Sequence, residues 1–237
     1  MSKKVFIGAG HGGSDPGATA NGFYEKDLNL PIALACRDEL KKYGVEVLMS
    51  RTADVDDTLN AECKRCNSFA PDLALDIHNN AGGGDGAEVY YHVGGGVSKT
   101  LAQNILNEIV KIGQNSRGIK TKVNDDGTDW LGFIRMTSCP AVLVECAFMD
   151  NKADLQTVNT PEKQKTMGTA IAKGILKTLC INTAAASSKP TDTKDTNKNT
   201  PRKKLYRVQV GAFAEKSNAE NMLKELKKKG FDGFITT

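Results

Sequence analysis

Short apolar runs alternate with stretches of helical periodicity from residue 4 to residue 179, an order that few architectures accommodate. Residues 4–8, 45–49, 73–77 and 87–92 read as strands, the third ending at His78. Ala141-Val142-Leu143-Val144-Glu145, entered through Pro140, is a continuous apolar run of the kind found where a strand is covered on both faces. Residues 25–43, 59–69 and 98–112 carry helical spacing, with Leu28, Ile32, Ala35, Leu40 and Tyr43 placed for one face of the first. Residues 160–179 close the series, where Thr160-Pro161-Glu162 supplies an N-cap followed by proline at the first helical position. The alternation predicts an α/β fold: a central, mostly parallel or mixed sheet flanked by helices on both faces.

After residue 181 the pattern stops. Residues 182–204 offer almost nothing to bury and read as a flexible linker. Residues 205–237 read as a small β–α–β unit: strands at 205–211 and 231–237, and between them a helix over 217–229 with Ser217 as N-cap and Gly230 beyond its end. Such a unit falls below the roughly 40 residues needed for independent folding. The net charge of +4 is uneven. Residues 1–181 hold 20 basic and 22 acidic side chains (−2), the linker six and two (+4), and the tail six and four (+2). The basic excess therefore lies outside the body and suits an anionic polymer. No apolar run approaches the roughly 20 residues of a membrane helix, and the N-terminus lacks the apolar core of a leader peptide. No membrane insertion is expected, and synthesis in the cytoplasm is. The six cysteines sit mostly in apolar patterns and read as reduced thiols; Cys63 and Cys66 form the one C-x-x-C, a zinc-knuckle spacing without a second half.

Chemistry concentrates at strand ends. Gly8-Ala9-Gly10-His11-Gly12-Gly13 fits the dinucleotide pattern G-x-G-x-x-G, but Pro16, Gly17 and Gly22 forbid the immediate helix that such a site requires. The glycines are better read as turning the backbone around a ligand. His11 and His78 both follow strands, where open α/β sheets bind ligands. Glu145 ends an apolar run, and a carboxylate buried there needs a partner or a metal nearby. Glu25 is explained equally well as a carboxylate favoured at a helix start. Together His11, Glu25 and His78 make the two-histidine, one-carboxylate set of zinc hydrolases, with Glu145 left to handle protons. His92 reads either as a neighbour of this site or as a surface residue.

Three segments carry a family likeness. GAGHGGSDPGATANGFYEKDLNL at residues 8–30, LALDIHNN at 73–80 and GFIRMTSCPAVLVECAFMDN at 132–151 resemble, in order, the motifs of zinc-dependent N-acetylmuramoyl-L-alanine amidases of the Amidase_3 type. The resemblance covers about the first 180 residues. It implies that His11, Glu25 and His78 bind one zinc ion, that Glu145 is catalytic, and that Asn80 and Arg135 contact substrate. It also implies cleavage of the amide between N-acetylmuramic acid and L-alanine. Ala9 stands where the family usually has Pro, Asp76 where Ser is usual, and Cys146-Ala147 where x-Gly follows the catalytic Glu. Residues 205–237 resemble half of a SPOR peptidoglycan-binding domain, which predicts peptidoglycan rather than nucleic acid as partner and pairing of two chains to complete the sheet. By the same likeness the protein is expected to reach the wall after release by a holin or on lysis of its cell. A different zinc peptidase, or a wall-binding module without catalysis, remains as an alternative reading.

Overall fold

The computed structural model describes residues 2–183 and 215–229. Most of the expected linker, both tail strands and the two-chain sheet built on them lie outside the described residues. In chain order the elements are β1 (Lys4–Ala9), β2 (Thr19–Ala20), β3 (Phe23–Tyr24), α1 (Glu25–Lys41), β4 (Glu46–Met49), α2 (Leu59–Phe69), β5 (Leu73–Asn80), β6 (Ala87–Tyr91), α3 (Gly96–Lys111), β7 (Ser116–Lys120), α4 (Gly132–Met136), β8 (Ala141–Phe148), α5 (Lys152–Leu155), α6 (Pro161–Thr178) and, in the tail, α7 (Lys216–Lys228).

Six strands form one mixed sheet in the order β4-β1-β5-β8-β6-β7. The first four are mutually parallel, so β1, β5 and β8 end along one edge; β6 runs antiparallel to β8 and carries β7 parallel to itself. Period-two alternation sorts the side chains. Val5 and Ile7 of β1 pack with Leu28, Ile32 and Leu40 of α1 and with α6, whereas Phe6 between them turns to the opposite face. There it meets Cys63 and Cys66 of α2 and Phe133 of α4, the two rings 6.3 Å apart. Helices α1, α3 and α6 thus cover one face, and α2 and α4 cover part of the other. The remainder of that second face, toward the carboxyl ends of the parallel strands, carries Asp76, His78 and Glu145.

Several local features follow from the residues. Thr160 accepts from the Lys163 amide ahead of Pro161 and caps α6, as its sequence predicts. Thr58 does the same for α2 through the Ala61 amide. The loop after β1 is not entirely irregular: Asn21 and Gly22, both at positive φ, turn the β2–β3 hairpin, the use expected of an Asn-Gly pair. β7 carries no strand signature in the sequence, because Ser116-Arg117-Gly118-Ile119-Lys120 offers a single apolar side chain at a sheet edge. β5 does not stop at residue 77, nor β8 at 145. The two continue pairing past His78↔Glu145 to Asn80↔Phe148, with a register shift between, so both residues lie within strands. In the tail, α7 begins before Ser217: the Asn218 amide reaches the Glu215 carbonyl, Glu215 occupies the cap position, and Ser217 falls inside the first turn. Among the described residues no helix is long and apolar enough to cross a membrane.

Gly168 sets the approach of α6 to α1, because a Cβ there would lie 2.3 Å from the Ile32 carbonyl oxygen and 2.8 Å from the Ala35 Cβ. Alanine in a helix interior is otherwise worth up to about 1 kcal/mol over glycine, but overpacking costs about 1–3 kcal/mol. Gly168→Ala is therefore expected to lower the urea midpoint with an unchanged m-value. A raised midpoint would show that the two helices are not in this contact.

Candidate active site

His11 lies two residues beyond β1 at φ 61, a left-handed conformation that a non-glycine residue rarely adopts. Its loop is tied down on all sides. The Gly10 amide donates to the Ile77 carbonyl (3.0 Å), and the buried Arg51 donates through Nε to the Ala9 carbonyl (2.8 Å) and through Nη2 to those of Gly10 (3.3 Å) and Lys26 (3.0 Å). Gly10 has to be glycine here: a Cβ would sit 2.2 Å from Cε1 of His78. The loop backbone therefore passes directly against one imidazole in order to present the other.

Glu25, at the first position of α1, is 4% exposed. Its Oε2 lies 3.1 Å from His11 Nε2 and its Oε1 lies 2.9 Å from His78 Nδ1. The amides of Ala18 (3.0 Å) and Asn79 (3.1 Å) and the side-chain amide of Asn29 (3.1 Å) also donate to it. One ligand atom from each of His11, Glu25 and His78 lies within 4.8 Å of the others, and among the described residues this is the one such cluster. The outer ring nitrogens are held as well: His11 Nδ1 is 2.7 Å from Asp15 Oδ2, and His78 Nε2 is 3.0 Å from Asp76 Oδ2. Carboxylates in these positions fix the ring orientation and raise the basicity of a metal-binding histidine. The donor set, the outer carboxylates and the glycine beside the ring fit a metal ion.

The electrostatics are those of a carboxylate between two bases. Burial works to raise the Glu25 pKa, but hydrogen bonds from His11 and His78 overcome it and hold the group far below the usual range. The hydrogen bond to Glu25 raises His11. At His78, burial acts downward, yet Asp76 and Glu25 carry it well above its ordinary value. Behind Asp76, burial and the Asp76 charge push Glu62 up to about 9, so it stays protonated at neutral pH.

Glu145 differs from all of these. It sits beside His78 in the β5–β8 register and opposite Glu88 in the β6–β8 register. Its Oε2 is sealed from solvent and has no hydrogen-bond partner among the described residues. Burial pushes its pKa up to about 7; His78 offsets this in part, and the acids Glu25, Glu88 and Asp76 add to it. A carboxylate with a pKa close to the working pH, held next to the ligand cluster, is suited to proton transfer.

The other expected residues fall elsewhere. Asn80, two residues past His78, donates to Glu88 Oε1 (3.1 Å). Arg135 gives Nη1 to the carbonyls of Asp129 (2.6 Å) and Trp130 (3.0 Å), bracing its own loop, and has no hydrogen bond or ion pair to any of the four. His92 is a surface residue: β6 runs against β8, Tyr91 pairs with Val142, and His92 is thereby carried to the opposite end of the sheet, 3.3 Å from Asp129. Cys63 and Cys66 are free thiols in the core beneath α2, not a zinc knuckle. Sequence reasoning missed Asp15, Glu88 and the role of Asp76. The signals were present: Asp76 is two residues before His78 and so on the same strand face, and Glu88 is a charge inside an apolar strand.

Residues 5–177 match the N-acetylmuramoyl-L-alanine amidase family, and residues 185–237 match the SPOR domain. The chain belongs to the N-acetylmuramoyl-L-alanine amidase family. It is 36% identical over 237 residues to N-acetylmuramoyl-L-alanine amidase CwlM of Bacillus licheniformis, covering 98% of this chain and 84% of that protein. It is 35% identical over 236 residues to the sporulation-specific N-acetylmuramoyl-L-alanine amidase of Bacillus subtilis, with the same coverage. Among solved structures, Cwp6 from Clostridium difficile superposes with a TM-score of 0.74 at 44% identity, over 76% of this chain and 30% of that one.

The raised Glu145 gives a pH signature in metal-stripped protein. Because its folded pKa exceeds its ordinary value, its contribution to stability is complete below that ordinary value and is lost as pH rises through about 7. His11 and His78, also raised, lose stability in the same direction, but they are common to wild type and variant. Between pH 5 and 8, wild type should lose on the order of 1–2 kcal/mol that Glu145→Gln retains. Urea unfolding in chelator at the two pH values checks this; parallel losses would refute it.

Proposed function

We propose that this amidase hydrolyses peptidoglycan at the amide between the lactyl group of N-acetylmuramic acid and the L-alanine of the stem peptide, using one zinc ion held by His11, Glu25 and His78. The observation carrying the reading is the convergence of two imidazoles and a buried carboxylate at the edge where β1, β5 and β8 end, beside a Glu145 whose Oε2 is buried with no hydrogen-bond partner among the described residues. The names of these two relatives specify this bond in those proteins. A zinc ion held by these three residues would leave a position for water, lower that water's pKa to about 7 and polarise a substrate carbonyl.

The remaining steps belong to the chain. Glu25 neutralises charge and takes its place between the imidazoles through the Ala18, Asn29 and Asn79 donors. Asp15 and Asp76 fix each imidazole so that His11 Nε2 and His78 Nδ1 face inward. Glu145 takes the proton from the attacking water and returns it to the departing L-alanine nitrogen; a pKa near 7 serves both transfers. The tail is read as the wall-binding part, on the strength of the SPOR match.

Mass spectrometry of digested peptidoglycan tests the bond: new free L-alanine N-termini are expected, and cuts within the stem or cross-bridge would reject the reading. The division of labour is tested separately. Glu25→Ala should lose zinc, whereas Glu145→Ala should retain it and lose turnover by about 10²–10⁴-fold. Equal loss of metal from both variants would refute the assigned roles.

A further inference from the structure

Beside Glu145, on the strand next to it, lies a second buried acid with more cations than it needs. Glu88 is 2% exposed, and its Oε1 accepts from Asn80 Nδ2 (3.1 Å) and the Tyr90 hydroxyl (2.8 Å). Its Oε2 accepts from Arg117 Nε (2.8 Å) and Lys120 Nζ (2.5 Å), both on β7. One buried carboxylate is neutralised by one cation; with two, the group carries a net charge of +1. Arg117 bonds through Nε alone. Among the described residues its two terminal nitrogens have no hydrogen-bond partner, and its guanidinium lies 4.8 Å from the Phe148 ring centroid. The Arg117 and Lys120 side chains are 37% and 34% exposed, respectively.

We propose that Arg117 and Lys120, oriented by Glu88, form a subsite for a free carboxylate of the stem peptide. Resting on the amidase reading above, the proposal deepens it by fixing which way the peptide runs. A guanidinium fork with both terminal nitrogens available matches a carboxylate bidentately. The spacing agrees. Glu88 is the register partner of Glu145 and Lys120 that of Tyr90, so at about 4.8 Å per strand β6 and β7 lie about 5 and 10 Å from β8. Two extended residues span about 7 Å. In the common wall peptide the residue after L-alanine is a glutamate linked through its γ-carboxyl, whose α-carboxyl is either free or amidated; that group falls within this range of the scissile amide. The opposite flank disfavours it. There the loops carry Asp15, Asp54 and Asp56, with Lys26 already paired to Asp54 and Arg51 committed to backbone carbonyls. The acids near the proposed subsite are Glu88, Glu145 and Asp85; Asp85 accepts from Asn115, and its charge acts on Arg117 as well.

The test compares zinc-loaded full-length protein on two soluble muramoyl peptides that differ only in whether the glutamate α-carboxyl is free or an amide. Wild type should show a kcat/KM ratio of about 10 or more in favour of the acid at low salt, the scale of one charge-assisted pair. Arg117→Gln should bring the ratio to about one, and Arg117→Lys should leave an intermediate value. If Arg117→Gln does not fold, Lys120→Gln decides, with a reduced ratio expected. A wild-type ratio near one, or wild-type ratios in the glutamine variants, would overturn the subsite. Hydrolysis of neither peptide by wild type would instead overturn the amidase reading, and the subsite with it.

Discussion

Everything at the candidate centre depends on one buried ion, the Glu25 carboxylate. Left alone, a carboxylate with 4% exposure is costly enough to be neutralised. Here two imidazoles and three amide donors keep it charged. The requirement propagates outward. His11 has to be swung into a left-handed conformation to reach Oε2, Gly10 has to lack a side chain so that the loop clears His78, and Arg51 has to collect the loop carbonyls left without partners. The local strain and the buried charge are thus one arrangement, stabilised from the sheet side by β5 and from the helix side by α1.

The sheet supplies the second constraint. Four parallel strands bring β1, β5 and β8 to one edge, and continued pairing of β5 with β8 places His78 and Glu145 side by side on the face that α2 and α4 leave open. Antiparallel β6 then sets Glu88 against Glu145. Two acids so close, one hydrogen-bonded by two cations and the other only partly offset by nearby His78, acquire opposite characters: Glu88 is held below its ordinary pKa by Lys120 and Arg117 against the effect of burial, while burial pushes Glu145 up to about 7. The pairing of environments, rather than residue type, separates an acid that stays charged from one whose pKa lies near neutral pH.

Much of this was legible in the sequence because it rests on patterns with strong physical periods. The apolar runs and the helical spacing gave the α/β architecture, and Thr160-Pro161 gave the start of α6. His11 and His78 could be placed by their position after strands, and Glu145 by the anomaly of a charge ending an apolar run. Glu25 is different: its helix-start position explains it without a metal, so residue chemistry alone leaves it open, the motif resemblance makes it a ligand, and the fold shows its two oxygens facing two imidazoles. His92 misleads for a related reason. A histidine after a strand lies at the ligand edge only if that strand runs parallel to the others, and strand direction is set by pairing, which one sequence does not display. β7 was lost because an edge strand needs little apolar character, and with it went Arg117 and Lys120. The bulge beyond His78 was invisible too, since it arises from pairing between residues 67 and 68 positions apart, His78 with Glu145 and Asn80 with Phe148.

The central claim is that two imidazoles and one carboxylate hold the metal, and X-ray absorption at the zinc edge of loaded protein addresses it most directly. The account predicts a first shell of nitrogen and oxygen alone, at about 2.0–2.2 Å, that disappears in Glu25→Ala. A sulfur scatterer at about 2.3 Å, or a first shell unchanged in that variant, would contradict it.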